Sequence, residues 1–508
     1  MNDLPRQALS EIVARHGRSV AGEARRVEGL LRDYCGAYRR EIAVLVNAVE
    51  ERVTADLLAI GAGLPRQALL ARLTHRLHDN LAMDTTAAKW AVNSWALALG
   101  VMTSAELEAI EHEQPESATA SPPAAASQAA PGAALRQMRQ NPSTEIVVSA
   151  SGDGDFTSLG QALRAAASGA RILVRPGLYR EGIVLDKPVE IIGESELQEV
   201  IIASAKASCI LMRTDEATVR GLTLRQEQGA GGEDEAFFAV DIPQGCLTLE
   251  DSDISSRSLS CIGIHNDSAD PVIRRCRIHT GADSGIYVFN AAQGLVEDCD
   301  IHDNANVGVA ITERANPTIR RCAIRAGKDA GVVSWNGGLG LIEECEISGN
   351  ARAGVGVSEQ ANLSILRCRI YDGANSGVFV HNNGQATLED CDIYGHAEPE
   401  MAVRLGGKII ARGCSIHEGN SSGVLIDSGG IAVLEQCNVQ SNASAGISVN
   451  ADGVAALNQC CINRNGGAAV RVQSGGKAAV ENCDLTKNRS GAWETQRGAV
   501  IKELGNQS

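Results

Sequence analysis

The sequence is poor in aromatic side chains, in basic charge and in long apolar runs. Aromatic residues make up 3% of its 508 residues, and the formal net charge is −16. A general nucleic-acid binder needs a basic face, and adhesion to anionic membranes also needs positive charge. A membrane-spanning helix needs an apolar run of about 18 residues or more, and no such run occurs in the sequence. We therefore expect partners that are neither nucleic acids nor membranes.

Cysteine pairs of the C-x-x-C type are missing, as are Cys and His residues clustered at zinc spacing. These spacings are typical of structural zinc sites, so we expect no metal and no cofactor. Single cysteines are nevertheless frequent, and ten of them recur every 23 residues: Cys276, Cys299, Cys322, Cys345, Cys368, Cys391, Cys414, Cys437, Cys460 and Cys483. A fixed period of this length is typical of repeat proteins, in which each unit buries its apolar face against its neighbours.

Each repeat unit holds two recognisable apolar segments. The first ends in Cys-x-aliphatic, as in Val296–Ile301, and the second is an alternating stretch behind a glycine, as in Gly285–Val288. Alternation of inward and outward residues indicates strands, and no segment between them has room for a crossover helix. Three short strands per coil, stacked in parallel, predict a parallel β-helix.

The cysteines are then expected to form an interior column of free thiols. Equivalent residues on stacked coils lie about 4.8 Å apart, whereas a disulfide needs Cβ atoms about 3.8 Å apart. Buried free thiols behave as small apolar side chains and indicate a reducing compartment. The first residues, Met1–Arg6, also lack a basic region followed by an apolar one, so we expect a cytoplasmic protein.

The two polar residues before each cysteine alternate in sign from coil to coil. Arg274 and Arg275 are followed by Glu297 and Asp298, and then by the next arginine pair. Each exposed ion pair is worth only about 0.2–1 kcal/mol. A coil shifted in register would place like charges together, so we expect this column to specify register.

These coils resemble the right-handed parallel β-helix repeats of the pectin-lyase-like superfamily. Residues 146–194 also resemble that superfamily's opening strand, capping helix and first coils, through Gly152–Leu159, Arg171–Tyr179 and Lys187–Glu194. The resemblance covers roughly residues 144–501 and implies a mainly β fold. It does not imply one activity, because the superfamily contains lyases, hydrolases, esterases, epimerases and non-enzymatic members. The short regular coils look most like the repeats of F-box substrate-recognition proteins and similar sugar-binding-type repeats.

Three segments are predicted. Residues 1–112 should form a small α-helical bundle, and residues 113–143, rich in Ala, Pro and Ser, should form a flexible linker. Residues 144–508 should form the right-handed parallel β-helix, with a capping helix near its amino end around 157–167. The last segment, 493–504, is expected to cap the other end.

Within residues 1–112, apolar spacing predicts one helix over Val27–Ala59, another from Pro65 and a third over Ala87–Gly100. Trp90 and Trp95 are interpreted as core residues. The segment resembles a helical module of bacterial multidomain signalling proteins.

The scarce aromatic residues are concentrated at outward positions of the strands that follow glycine. Flat rings beside amide side chains suit sugar stacking or a protein-binding hot spot; the alternative is that the rings fill gaps between coils. The candidate binding residues are Tyr287, Phe289, Asn290, Trp335, Asn336, Phe379, His381 and Asn382.

No catalytic residue is assigned. The least unlikely set is His381, Arg404 and Asp427, which occupy equivalent outward positions on three successive coils. Spacing of about 4.8 Å per coil could bring a base, a cation and a carboxylate to one substrate, although a charge-compensated column is the favoured explanation. The catalytic sets of pectate lyases, galacturonases, methylesterases and alginate epimerases do not fall on matching positions. The other histidines of the coils lie mostly at expected turns and are interpreted as solvated or as hydrogen-bonded in the turn: His265, His279, His302, His396 and His417.

The function predicted from these observations is that of a cytoplasmic bacterial interaction or adaptor protein. Its β-helix would present a rigid lateral surface to a protein or glycan, and its helical domain would recruit a second protein. One alternative is a carbohydrate-active enzyme, a polyuronate lyase or hydrolase. Another is a structural element that self-assembles through uncapped coil ends.

Overall fold

The computed structural model divides the chain into two compact units, Met1–Ala130 and Pro131–Ser508. Among the residues it describes, no helix is both long enough and apolar enough to span a bilayer. The described residues are 4–16, 20–21, 24–35, 38–50, 53–58, 77, 85–99, 101, 145–195, 198–227 and 236–508. The predicted linker and the helix expected from Pro65 lie outside these residues, apart from Leu77.

The first unit contains five described helices: Leu4–His16, Ala24–Cys35, Arg39–Glu50, Val53–Leu58 and Thr85–Ala98. Three of these helices cover the described part of the segment expected to be one helix over Val27–Ala59. Between the first two, the Tyr38 N–H donates to the Cys35 carbonyl at 3.0 Å. Trp95 is fully buried, and its indole N–H donates to the Leu45 carbonyl at 2.9 Å. Trp90 is also buried, so both tryptophans belong to the core, as predicted.

The second unit is a parallel β-helix built from three sheets. Sheet 1 has 16 strands: Glu145–Val148, Ala170–Val174, Val189–Gly193, Glu216–Arg220, Cys246–Glu250, Val272–Arg274, Leu295–Glu297, Thr318–Arg320, Leu339–Glu343, Asn362–Leu366, Gln385–Glu389, Lys408–Arg412, Ile431–Glu435, Val454–Asn458, Lys477–Glu481 and Val500–Leu504. Sheet 2 has 13 strands: Gly177–Tyr179, Val200–Ser204, Thr223–Gln226, Asp253–Ser256, Arg277–His279, Asp300–His302, Ala323–Arg325, Glu346–Ser348, Arg369–Tyr371, Asp392–Tyr394, Ser415–His417, Asn438–Gln440 and Cys461–Asn463. Sheet 3 has 14 strands: Ile183–Leu185, Ile210–Met212, Val240–Ile242, Ile262–His265, Ile286–Phe289, Val309–Ile311, Val332–Ser334, Val355–Val357, Val378–Val380, Met401–Val403, Val424–Ile426, Ile447–Val449, Val470–Val472 and Trp493–Thr495.

Each strand pairs in parallel with the same strand of the next coil, so like residues stack in columns. In sheet 2, Ile301 pairs with Ile324, which pairs with Ile347. These isoleucines are fully buried. The residues before and after each isoleucine on the same strand point outward. The alternating sequence pattern thus predicted both the strands and the side that each residue faces.

The ten repeated cysteines line the interior where the chain turns from sheet 1 into sheet 2. All of them are at most 2% exposed, and all are free thiols. A typical member, Cys322, lies within hydrogen-bond range of the carbonyls of Arg320 at 3.3 Å and Val296 at 3.6 Å. The predicted interior column of unbridged thiols is therefore present.

The alternating charges before the cysteines form ion pairs between coils. Arg275 binds Asp251 at 2.7 Å and Arg321 binds Asp298 at 2.8 Å. Glu297 is buried between Arg274 at 3.3 Å and Arg320 at 2.7 Å. Burial alone would raise the pKa of Glu297, but the bonds from the arginines outweigh it and the pKa is lowered. These ion pairs link neighbouring coils, as the alternation of charge predicted.

One short helix covers the amino end of the β-helix. It spans Leu159–Ala165, and Ser158 caps its N-terminus by accepting from the Gln161 N–H. The carboxylate of Glu181 accepts from the first N–H groups of this helix, those of Leu159 at 2.8 Å and Gly160 at 2.9 Å. The predicted cap is present at this end. The other prediction was wrong, because 493–504 adds two more strands to sheets 3 and 1.

The turn between sheets 2 and 3 carries a column in which buried asparagine alternates with glycine over several coils, as in Asn304, Gly327, Asn350 and Gly373. Asn350 accepts from the Gly327 N–H at 3.0 Å and donates to the Ile324 carbonyl at 3.3 Å. The equivalent residue two coils later is His396, which is fully buried. The sequence indicated a turn residue that is either solvated or hydrogen-bonded in the turn; the second holds, because the His396 N–H donates to the Glu400 carboxylate at 3.0 Å. Its Nδ1 contacts the buried carboxylate of Glu400, which occupies the position of glycine in most coils.

We expect the thiols of the column to be unreactive in the folded protein. Burial raises the pKa of Cys276, the first thiol of the column, well above its usual range, and thiolate is the reactive form. Of the 15 cysteines, only Cys246 and Cys461 are not buried. A colorimetric thiol titration of the native chain should therefore report these two, and C246S/C461S should abolish the fast signal. Rapid reaction of the double variant would contradict the buried column.

His396 and Glu400 should depend on each other. The E400G variant leaves the buried imidazole of His396 without its partner, and a buried polar group left without a hydrogen bond typically costs about 1–3 kcal/mol. The H396N/E400G variant places asparagine at 396, as at 350 and 442 two coils away, and glycine at 400, as at 377 and 423. Its urea midpoint should therefore return close to that of the parent. A double variant as unstable as E400G would show that this coil cannot adopt the common arrangement.

Candidate functional site

A depression on the outer face of sheet 3 is the candidate site. Its floor is the outward column Tyr287, Ala310, Val333, Gly356 and Phe379, one residue from each of five successive coils. Small side chains between two aromatic rings leave the middle of the column low. At about 4.8 Å per coil, the rings at its ends are roughly 19 Å apart along the stack. We call this depression the sheet 3 groove.

The sheet 3 groove contains two adjoining cavities. The first, of about 370 Å³, lies between Tyr287 and Trp335, and the second, of about 260 Å³, lies beside Phe379 and His381. Both are lined by Asp329 and Val333, so they adjoin each other along the column. The larger of the two volumes is within the range of small-ligand sites, and the open side of the groove would let an extended chain run along the stack.

One wall of the groove is formed by the loop that leads into each sheet 3 strand. This wall carries Asp283, Asn306, Asp329, Arg352 and Asn375, again one residue from each coil. Asp283 accepts from the Asn306 amide at 2.9 Å and from the Ser260 hydroxyl at 2.9 Å. The wall is therefore polar and holds two carboxylates two coils apart.

Aromatic rings form two stacks on the groove. Tyr287 lies 4.6 Å from Phe289 and 6.2 Å from Trp335 between ring centroids, with interplanar angles of 26° and 11°. Phe379 stacks on His381 at 4.6 Å. All five rings are half-buried, so each retains an accessible part against which an apolar sugar face or a ligand ring can pack.

The electrostatic environment of the rings differs between the two ends of the groove. Burial raises the pKa of the Tyr287 hydroxyl, and the carboxylates of Glu313 and Asp283 add to the rise. Burial lowers the pKa of His381, an effect that the carboxylate of Glu359 opposes. Because an ordinary histidine has a pKa of about 6.5, His381 is neutral at neutral pH.

The eight candidate binding residues fall into two groups. Tyr287, Trp335, Phe379 and His381 line the groove, and Phe289 supports Tyr287 from its own strand. The asparagines 290, 336 and 382 are exposed and have φ between 49° and 54°. Asparagine tolerates this left-handed conformation better than most residues, so these three shape the turn beyond the groove.

The least unlikely catalytic set is only partly brought together. Arg404 Nε lies 3.9 Å from Asp427 Oδ2, whereas the His381 ring stacks on Phe379. His381 lines the groove, but Arg404 and Asp427 do not line either cavity. The arrangement is that of a long ion pair beside the groove, and the catalytic role stays a prediction.

Sequence reasoning missed the polar wall. Its residues stand two positions before the glycine of each sheet 3 strand, as Asp283 does before Gly285. Extending the 23-residue alignment by these two positions would have shown a polar column beside the aromatic one. Among the described residues, no group of three or more His, Cys, Asp or Glu is arranged to hold a metal ion.

The fold defines this unit as a right-handed parallel β-helix, and the sheet 3 groove lies on its lateral face. A family model described as a right-handed beta helix region matches residues 208–362, 260–401 and 353–507. These overlapping segments span more than half of the chain. The chain therefore belongs to the right-handed β-helix region family.

Solved structures with a similar fold include three carbohydrate-active enzymes. The A-module of Azotobacter vinelandii mannuronan C-5 epimerase AlgE6 is 15% identical over 67% of this chain and 93% of its own, with a TM-score of 0.42. The catalytic domain of a GH87 α-1,3-glucanase with nigerose is 13% identical over 74% and 70%, with a TM-score of 0.45. The periplasmic alginate epimerase AlgG is 12% identical over 66% and 77%, with a TM-score of 0.37.

The predicted role as an interaction or adaptor protein is contradicted by these similar structures, which are polysaccharide epimerases and a glucanase. The first alternative given by the sequence was a carbohydrate-active enzyme, a polyuronate lyase or hydrolase. At 12–15% identity the likeness concerns the fold, so substrate and chemistry have to be argued from the residues of the groove.

Glycine at position 356 should keep the groove open at a small cost in stability. A Cβ built there meets only the side chain of Val333, at 3.6 Å, and the backbone is not left-handed. Because glycine within a strand costs about 0.5–1 kcal/mol relative to alanine, G356A should raise the urea midpoint.

Gly354, on the same coil, is the matched control. A Cβ there would lie 2.4 Å from Ile370 Cγ2 and 2.7 Å from the Gly377 carbonyl oxygen, so G354A should lower the midpoint. A loss of stability in G356A would mean that the floor is closely packed and the groove is not a free channel.

Proposed function

We propose that this protein is an enzyme that hydrolyses a polysaccharide bound along the sheet 3 groove. The observation that carries the proposal is the combination of two carboxylates, Asp283 and Asp329, with accessible aromatic rings on one open channel. Rings hold the apolar faces of sugars, and hydroxyl groups need polar partners, which the loop wall supplies. A channel open along the stack suits a chain substrate better than a small molecule.

The carboxylate spacing supports hydrolysis. Asp283 and Asp329 are two coils apart, which separates their backbones by about 9.6 Å. Inverting glycosidases hold their two carboxyl groups roughly 6.5–9.5 Å apart, leaving room for water between one carboxylate and the sugar. A backbone separation of this size is compatible with carboxyl groups in that range.

Hydrolysis then divides between the two groups. One carboxyl group donates its proton to the glycosidic oxygen as the bond from that oxygen to the anomeric carbon breaks. The other takes a proton from a water molecule whose oxygen bonds to the anomeric carbon. The products are two shorter sugar chains, and one proton has moved from the first carboxyl group to the second.

The catalytic test compares three carboxylates on the same face. Reducing-end release from a panel of polysaccharides should fall at least about 100-fold in D283N and D329N, the usual size of acid–base contributions. D427N should retain activity, because Asp427 lies beyond the groove. Loss of activity in D427N with retention in D283N and D329N would instead support the set of His381, Arg404 and Asp427.

A second variant pair tests the channel without touching any carboxylate. G356L fills the floor where a Cβ is tolerated, and L425F adds bulk at the same column three coils further on. G356L should abolish product release and L425F should not. Equal activity of the two variants would place the substrate elsewhere on the molecule. If the parent protein releases no product from any polysaccharide of the panel, the proposal that it is an enzyme is wrong.

A further inference from the structure

The charges around the sheet 3 groove are predominantly negative. Asp283 and Asp329 line one side. On the other side, Glu313 and Glu359 directly follow the outward residues Thr312 and Ser358, and both are exposed. Their influence reaches the groove, since Glu313 acts on the pKa of Tyr287 and Glu359 on that of His381. Two carboxylates, Asp283 and Asp329, therefore line the groove. Two more, Glu313 and Glu359, stand on the turn beside it, in the same column as the asparagines at 290, 336 and 382.

Positive charge is scarce at the same place. Among the described residues that line the two cavities, Arg352 is the only arginine or lysine, and it lies 3.6 Å from Asp329. Arg404 lies one coil beyond Phe379 and is directed at Asp427. Arg314 follows Glu313, but the stem of its side chain lies 3.9 Å from a Cβ built on Gly337, in the turn outside the groove. His381 is neutral at neutral pH, as derived from its burial.

A polyuronate carries one carboxylate on every sugar, so several of them would enter a groove roughly 19 Å long. Each would meet these negative charges within about 10 Å. Arg352 is already paired with Asp329, and the exposed Lys328, which directly precedes Asp329, lines neither cavity. Like charges at this distance repel by about 0.4 kcal/mol per pair in water and more where solvent is excluded. The repulsion adds over several sugars and over four carboxylates, so it outweighs the stacking of individual rings.

We infer that the substrate of this groove is a neutral polysaccharide and that polyuronates are excluded from it. This inference rests on the proposed hydrolase function and names its substrate class. The amides of Asn306 and Asn375 can bind sugar hydroxyl groups, and the carboxylates of Asp283 and Asp329 can accept hydrogen bonds from them. Elimination or epimerisation at a uronate carbon would need a cation beside the sugar carboxylate, and the groove offers only the arginine already paired with Asp329.

Binding, and not turnover, tests the inference. The full chain is run by affinity electrophoresis in gels containing a soluble neutral glucan, dextran or laminarin, or a polyuronate, polygalacturonate or alginate. Retardation by at least one neutral glucan should be tenfold or more stronger than by either polyuronate at low salt. The E313Q/E359Q variant should bind polyuronate about threefold more tightly than the parent, the size expected for removing two charges near the chain, and neutral glucan binding should be unchanged.

A matched control separates local from overall charge. E481Q/E503Q removes two exposed carboxylates from adjacent strands of sheet 1 and should leave polyuronate binding as in the parent. The difference between the two double variants should vanish at about 1 M salt, where the screening length is about 3 Å.

Each outcome is decisive. Tighter binding of polyuronate than of neutral glucan would overturn the inference and leave a polysaccharide enzyme standing. Equal effects of E313Q/E359Q and E481Q/E503Q would overturn the role of the groove charges. Failure of the chain to bind any of the four polymers would remove the proposed function together with the inference.

Discussion

Everything in the β-helix depends on the parallel pairing of each coil with the next at a fixed offset of 23 residues, as in Cys345 and Cys368. This pairing turns one-dimensional periodicity into columns of like residues. Inward columns hold isoleucine, valine and cysteine, and corner columns hold alternating charge. A shift of one residue would turn the buried side chains outward and bring like charges together. The same register therefore fixes the core, the ion pairs and the position of every outward side chain.

The functional features arise where outward columns depart from uniformity. A regular solenoid presents a flat lateral sheet, and a groove needs small residues between large ones. Ala310, Val333 and Gly356 provide this gap between Tyr287 and Phe379, and the inward side of the same strands stays regular. Substitution at outward positions leaves the core untouched, so a binding site can form on a rigid support. His396 and Glu400 break the regularity of an inward column instead, because both polar side chains are buried and contact each other.

Much of this could be predicted from the sequence. The cysteine period predicted the fold and the thiol column, and the alternating charges predicted the ion pairs. The aromatic residues were assigned correctly to one outward face. The opposite wall was missed, because Asp283 and Asp329 lie in loops where no alternation marks direction. The burial of His396 was missed as well, since only packing shows that Glu400 enters the interior. The final strands were misread as a cap, because each resembles a coil only once it is paired.

The sequence alone determined what is periodic: the coil length, the inward and outward faces, and the residues that stack from coil to coil. Periodicity carries this information because parallel strands repeat at a constant distance. The tertiary structure alone decided which loops rise beside the aromatic column, how the rings lean on one another, and where carboxylates meet them. These features depend on side-chain directions and on contacts between residues in different columns. The repeat pattern carries no information about either. The fold was therefore determined by the sequence pattern, and the sheet 3 groove by packing across it.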